Sequence, residues 1–137
     1  MNLNDIKKEF ATDNREVELM TPRGAPTGWF FILRHESSKE VQEFMRDYRT
    51  KLQDVTLKRK ANAQKQLMAQ HEDGLRIAHV AGWKWEKGED PENGRPAFSK
   101  RELKTVLNDN VFGWHVRNFI DNEVGSLEDF LERSEDS

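Results

Sequence analysis

The apolar positions of this chain change their spacing several times, and each change marks an element. Glu16-Val17-Glu18-Leu19-Met20 alternates polar and apolar residues, the period of a half-buried strand. Trp29-Phe30-Phe31-Ile32-Leu33 is a short apolar and aromatic run of the kind that suits a buried strand. Between them Pro22, Gly24, Pro26 and Gly28 punctuate a loop. The two runs predict a β-hairpin with a long connection. An isolated hairpin is marginal in water, so this one must lie on helices or pair with another chain. Ahead of it, Leu3, Ile6 and Phe10 fall at i, i+3 and i+7. Residues 1–14 therefore form either a short amphipathic helix or a flexible arm.

From Ser37-Ser38, an N-cap candidate, the period lengthens to that of a helix. Val41, Phe44, Met45, Tyr48, Leu52 and Val55 recur at three- and four-residue spacing. Lys58 to Gln66 is polar but rich in good helix formers, and the pattern resumes at Leu67, Met68 and His71. The reading is one long central helix, with a break or kink at Gly74. A second apolar cluster, Leu75, Ile77, Ala78, Val80 and Ala81, ends at Gly82-Trp83-Lys84-Trp85, where the two tryptophans share one face of an extended segment and close the core. A polar Gly/Pro loop spans residues 86–96. Ser99 and Glu102 then make a Ser-x-x-Glu capping box for a helix carrying Leu103, Val106 and Leu107. After a turn at Asn108-Asp109-Asn110 comes another helix, with Val111, Phe112, Val116, Phe119 and Ile120, which Gly125 ends. Ser126 to Leu131 is a short terminal helix. The expected fold is mainly α: a small helical domain with a β-hairpin near the N-terminus and one long central helix.

Composition narrows the class. With 137 residues the chain reads as one domain, residues 1–137, ending in a frayed acidic tail at 132–137. The 35% hydrophobic and 34% charged fractions give a lean core and a heavily charged surface. Net charge is only -3, so no global basic footprint for nucleic acid exists. The charge is unevenly spread. Arg46, Arg49, Lys51, Lys58, Arg59, Lys60 and Lys65 cluster in the middle, while Asp121, Glu123, Glu128, Asp129, Glu132, Glu135 and Asp136 crowd the end against Arg133. Such a split favours head-to-tail association of like subunits, or simply makes two solvated faces. The absence of cysteine excludes disulfides, thiolate catalysis and cysteine-ligated zinc. The start is no signal peptide, and no run approaches the ~20 apolar residues of a membrane span.

Catalytic chemistry is not legible. Of His35, His71, His79 and His115, only His71 and His79 are close in sequence, and they lack the His-Glu-x-x-His spacing of a zinc site. Neither a Gly-x-Ser-x-Gly elbow nor a phosphate-binding loop is present. The expectation is a binding protein that is not an enzyme and needs no metal or cofactor. The basic stretch from Arg46 to Lys65 is interrupted by Asp47 and Asp54 and lacks interleaved aromatics, so it reads first as a solvated or protein-binding face. The candidate interface residues are Trp29, Phe31, Phe44, Tyr48 and Leu52. The contiguous aromatics of the hairpin point to both faces of a strand: one covers the core, and the other is either an interface or sandwiched by helices.

Arg76-Ile77-Ala78-His79-Val80-Ala81-Gly82-Trp83, a Gly-rich acidic loop, and Ala97-Phe98-Ser99-Lys100-Arg101-Glu102-Leu103 follow one another here. With Val106-Leu107-Asn108-Asp109 and the stretch from Phe119-Ile120 to Leu127-Glu128-Asp129-Phe130-Leu131, this arrangement resembles tail assembly chaperones of long-tailed, siphovirus-type bacteriophages over residues 35–131. The resemblance implies a protein of the infected host cytoplasm, absent from the mature virion. It implies binding to the tape measure protein, recruitment of tail tube subunits, and self-association into a spiral or small oligomer. Many such proteins exist in two lengths through a ribosomal frameshift. Readings from other classes are a small nucleic-acid-binding regulator using the basic helix, and a structural tail or head-completion protein.

Overall fold

The structure, a computed structural model, describes the backbone of residues 1–12 and 14–136 and the side chains of residues 1–8 and 14–124. In chain order it places α1 (Leu3–Thr12), β1 (Asn14–Met20), β2 (Pro26–Arg34), α2 (Lys39–Leu57), α3 (Ala61–His79), β3 (Val80–Trp85), α4 (Lys100–Leu107) and α5 (Gly113–Asp136), with a 3-10 turn at Pro91–Asn93. The first residues thus contain a helix, one of the two alternatives for that segment.

The hairpin forms as its pattern predicts. β1 and β2 are antiparallel, with Val17 opposite Phe31 and Glu18 opposite Phe30. A third strand was not anticipated. β3 pairs antiparallel with the other edge of β2, setting Trp85 opposite Trp29 and Trp83 opposite Phe31, so the sheet order is β1-β2-β3. Five helices and a three-stranded antiparallel sheet make a mixed α/β fold among the described residues, which corrects the mainly α expectation. The hairpin is stabilised by a third strand as well as by helices. β3 was hidden because it follows α3 without a linker. Its residues continue the apolar run that ends the helix, and its pairing partner lies far back in the chain.

The expectation of one long central helix also fails. α2 and α3 are separate helices of 19 residues each, packed on one another as an αα-hairpin. The chain reverses at Lys58–Lys60. Arg59 adopts a left-handed conformation (φ 54°), and the Lys60 amide donates to the Val55 carbonyl at 3.0 Å. Propensity alone carries a helix through Lys58 to Gln66. The apolar stripe decides otherwise: folding back lets Phe44, Tyr48 and Val55 shelter against α3, where a continuous rod leaves them in water. Gly74 is no break; it lies inside α3. Gly125 is no end; α5 runs uninterrupted from Gly113 to Asp136, and no separate terminal helix exists.

Capping follows the sequence closely. Ser38 Oγ accepts from the Val41 amide at 3.4 Å, and Ser99 Oγ accepts from the Glu102 amide at 3.0 Å. The core lies between one face of the sheet and the two last helices. Leu19, Trp29, Phe31, Leu33, Val80 and Trp83 from the sheet side cluster with Leu103, Val106, Leu107, Val116 and Ile120. Burying a side chain such as Phe31, fully enclosed here, contributes about 1.5–3 kcal/mol. Trp83 and Trp85 close this core as expected. Both indole N–H groups donate to the Pro96 carbonyl, at 2.8 and 2.9 Å, and so hold down the far end of the polar loop.

Candidate functional site

Where α2, α3 and α4 meet, they leave an open groove of about 460 Å³, within the range of ligand and peptide clefts. Its lining recurs at helical spacing: Phe44, Tyr48 and Lys51 on α2; Leu67, Gln70, His71, Gly74 and Ile77 on α3; Lys104, Leu107 and Asn108 on α4. Each helix gives one face, and the three faces converge because α4 packs beside the base of the αα-hairpin.

The aromatic wall is built around His71. Its imidazole stacks on Tyr48, with centroids 3.9 Å apart, and lies nearly parallel to Phe44 at 5.9 Å. The buried Nδ1 of His71 has no hydrogen-bond partner among the described residues. Gly74 makes the arrangement possible. A Cβ built there falls 2.6 Å from Phe44 Cζ, closer than two carbons approach, so only glycine lets the ring sit against α3. The helix tolerates this glycine because of Phe44.

Charges edge the groove on two sides. Lys51 and Lys104 stand with Asp47 among its lining residues, and all three are exposed. Asp73, by contrast, is committed to structure. It accepts from Arg76 Nη1 and from Arg117 Nη2, each at 2.8 Å. Arg76 in turn forks onto Asp121, Nε at 2.9 Å and Nη2 at 2.7 Å, a bidentate pairing that ties α3 to α5. The hydrogen bonds to Asp121 hold the Arg76 guanidinium protonated well above its ordinary range, against the opposing effect of burial.

Two further histidines are buried beside this hairpin. His79 donates from Nδ1 to the Leu75 carbonyl at 2.9 Å, and His35 Nδ1 accepts from the Ser37 amide at 3.0 Å. Desolvation lowers the pKa of both, partly offset at His35 by nearby Glu36 and at His79 first by the hydrogen bond to the Leu75 carbonyl and then by Glu36. His79 also lines a smaller cleft of about 270 Å³ with Arg76, Ile120 and Asp121.

Of the five interface candidates read from sequence, the groove brings together Phe44 and Tyr48. Leu52 lies one turn further along α2 and is half-buried. Trp29 and Phe31 are elsewhere: at 6% and 0% exposure they sit in the core, where Trp29 stacks on Trp85 at 4.7 Å. The other face of that strand carries Phe30 and Ile32, both half-buried. Sequence reasoning missed the groove role of His71, Lys51 and Lys104, which only the reversal at Arg59 and the approach of α4 create. It also missed an exposed apolar cluster at the start of α5, Val111 at 80% and Trp114 at 55% exposure. A signal for it existed: Trp114 falls out of phase with Phe112, Val116 and Phe119, and so points away from the core.

The arrangement offers apolar and aromatic surface with a few polar groups at its margins, which suits binding of an apolar segment. Among the described residues no group of three or more His, Asp or Glu is placed to hold a metal ion, and no helix is long and apolar enough to cross a membrane. No known protein family, characterised protein or solved structure matches this chain.

Proposed function

We propose that this chain is a tail assembly chaperone of the long-tailed phage type, and that the groove between α2, α3 and α4 is where it receives a helical segment of the tape measure protein. The observation that carries the reading is the groove itself: an open, aromatic-walled channel on helical elements, charged at its margins. A tape measure segment is a long helix with an apolar stripe, and helix-in-groove recognition buries such a stripe while leaving its polar face in water. The chaperone then keeps its client soluble in the host cytoplasm, recruits tail tube subunits, and is left out of the finished particle. Phe44 and Tyr48 supply the apolar anchors.

Co-expression with the cognate tape measure protein tests this directly. The client is expected to become soluble and to elute with this chain on size-exclusion chromatography. Tyr48→Asp is expected to abolish that co-elution while leaving the far-ultraviolet circular dichroism spectrum intact. A client that stays insoluble with the intact chain, in the presence of any longer frameshift product, sinks the proposal. Finding the chain as a stoichiometric component of purified particles turns the reading toward a structural tail or head-completion protein.

One observation favours a nucleic-acid reading. Arg46, Arg49, Lys51, Lys58, Arg59, Lys60 and Lys65 are all exposed on the αα-hairpin, and Arg59 and Lys60 occupy its tip. Binding through these cations weakens steeply with salt, by roughly one power of salt concentration per phosphate contacted. A titration against short duplexes at two salt concentrations separates this reading from the first.

A further inference from the structure

We infer that His35 is a proton-operated latch at the root of the αα-hairpin: protonated in acid, it releases α2 and so takes the groove apart. The latch is a property of the chain alone, and only its meaning as regulation of the groove rests on the proposed function.

Topology sets its position. β2 and β3 are neighbours in the sheet, and the whole αα-hairpin is inserted between them. The chain leaves the sheet just before His35 and returns to it just after His79, so a histidine stands at each end of the insertion. Both are only 3% exposed, and they lie close enough that charge on His79 opposes charge on His35.

Hydrogen-bond direction fixes the form each ring takes. The Ser37 amide can only donate, so His35 Nδ1 must keep its lone pair and the neutral ring carries its proton on Nε2. Protonating Nδ1 turns that acceptor into a donor aimed at a donor. The bond it breaks belongs to the turn that starts α2. There the Ser38 amide donates to the His35 carbonyl at 3.0 Å, Ser38 Oγ caps the Val41 amide, and Ser38 and Val41 are both buried. At His79 the Leu75 carbonyl can only accept, so Nδ1 carries the proton. Its buried Nε2 has no hydrogen-bond partner among the described residues, and a second proton there is a donor with nothing to receive it.

The charges around the pair do not reverse this. Arg34 of β2 donates to the Ala78 and Val80 carbonyls, pairs with Glu40 of α2 at 3.5 Å, and disfavours a cation at His79. Asp121 of α5 favours one there but is forked by Arg76, and Glu72 of α3, in the same cleft, is exposed. Glu36, between β2 and α2, favours the charged form of both rings, and burial outweighs it. Once α2 swings away, His35 meets water and takes up its proton near pH 6.5. The ratio of open to closed forms therefore rises by up to about tenfold per pH unit below that value. Opening carries Phe44 and Tyr48 off His71, and the groove loses its α2 wall.

Amide hydrogen exchange of the full chain, with each rate divided by the intrinsic rate at that pH, tests the inference. Protection in α2 is expected to fall by about tenfold between pH 7 and pH 5. His35→Asn keeps an oxygen that accepts from the Ser37 amide, as in an Asx turn, but takes up no proton in this range. It is expected to remove most of that fall, and circular dichroism checks that it is folded. If the two histidines are simply buried groups of the fold, acid lowers protection only where exchange needs complete unfolding, as in β2, and α2 keeps its protection. That result overturns the inference. So does an equal fall in α2 of folded His35→Asn, or α2 protection that matches β2 at every pH, since α2 then does not open by itself. The pH series of the unaltered chain decides alone if the variant does not fold. None of these readouts involves the tape measure protein, so failure here leaves the client test standing, and failure there leaves the latch.

Discussion

Replacing Gly74 by alanine sets two effects against each other, and the structure says which prevails. In a helix interior, glycine is about 1 kcal/mol less favourable than alanine, so Gly74→Ala taken alone stabilises α3 by that amount. The new methyl meets the Phe44 ring at 2.6 and 2.7 Å, however, and these are ring carbons wedged between two helices. Relief requires Phe44 to rotate off α3 and lose its parallel contact with His71. Overpacking of this kind costs about 1–3 kcal/mol. The balance is a net change between none and a loss of about 2 kcal/mol. In a Phe44→Ala background the obstruction is gone, and the same Gly74→Ala change is expected to stabilise by about 1 kcal/mol. The double-mutant cycle should therefore show a coupling of about 1–3 kcal/mol between two residues thirty positions apart (Phe44 and Gly74). Urea unfolding followed by far-ultraviolet circular dichroism gives all four stabilities. Additive effects, with Gly74→Ala stabilising equally in both backgrounds, refute the packing of α2 on α3 described above.

Three further outcomes are expected. Phe31→Ala, at a fully buried position among Trp29, Trp83 and Phe119, should cost about 3–5 kcal/mol, and Phe31→Asp should leave no cooperative unfolding transition by calorimetry. Lowering the pH from 7 to 5 should reduce stability: burial depresses the pKa values of His35 and His79 below the 6.5 of the unfolded chain, so the unfolded state takes up protons first, and their contribution is complete above 6.5 and lost as pH falls through the folded values. Equal urea midpoints at the two pH values contradict this, and His35→Gln with His79→Gln should flatten the dependence. Ser99→Ala removes the N-cap bond to Glu102 and should lower stability by about 1 kcal/mol, while Ser99→Asp should retain most of it.

Local chemistry was legible in this sequence, and long-range pairing was not. The hairpin could be read because alternation at Val17 and Leu19 and the aromatic run at Trp29 are properties of short segments, as are the caps at Ser38 and Ser99. For β3 only the extended segment with Trp83 and Trp85 on one face could be read, since what makes Val80–Trp85 a strand is an open edge of β2 supplied from far away. The reversal at Lys58–Lys60 was invisible for a related reason. No glycine or proline marks it, and the residue that takes the left-handed conformation is an arginine. Gly74 misled in the opposite direction, because a glycine required by a neighbour's ring looks the same in sequence as one that ends a helix. Half of the groove was in view through Phe44 and Tyr48. The other half depends on α3 and α4 being brought beside α2, which follows from the turn that was missed.

The way α2 is attached has a consequence for dynamics. Its main packing partner is α3, whereas α3 is also held by the sheet, α4 and α5 and pinned to α5 through Arg76 and Asp121. α2 contributes no residue to the main core cluster, so its opening exposes little of it, and its amides should exchange with solvent through a sub-global opening well below the free energy of complete unfolding. That opening removes Phe44 and Tyr48 and so abolishes the groove. Any occupant must bind the closed form alone, and by linkage it lowers the population of the open one. Slowed exchange should then spread along the whole of α2, including turns that the occupant never touches, so that the footprint of binding is the cooperative unit and exceeds the area of contact.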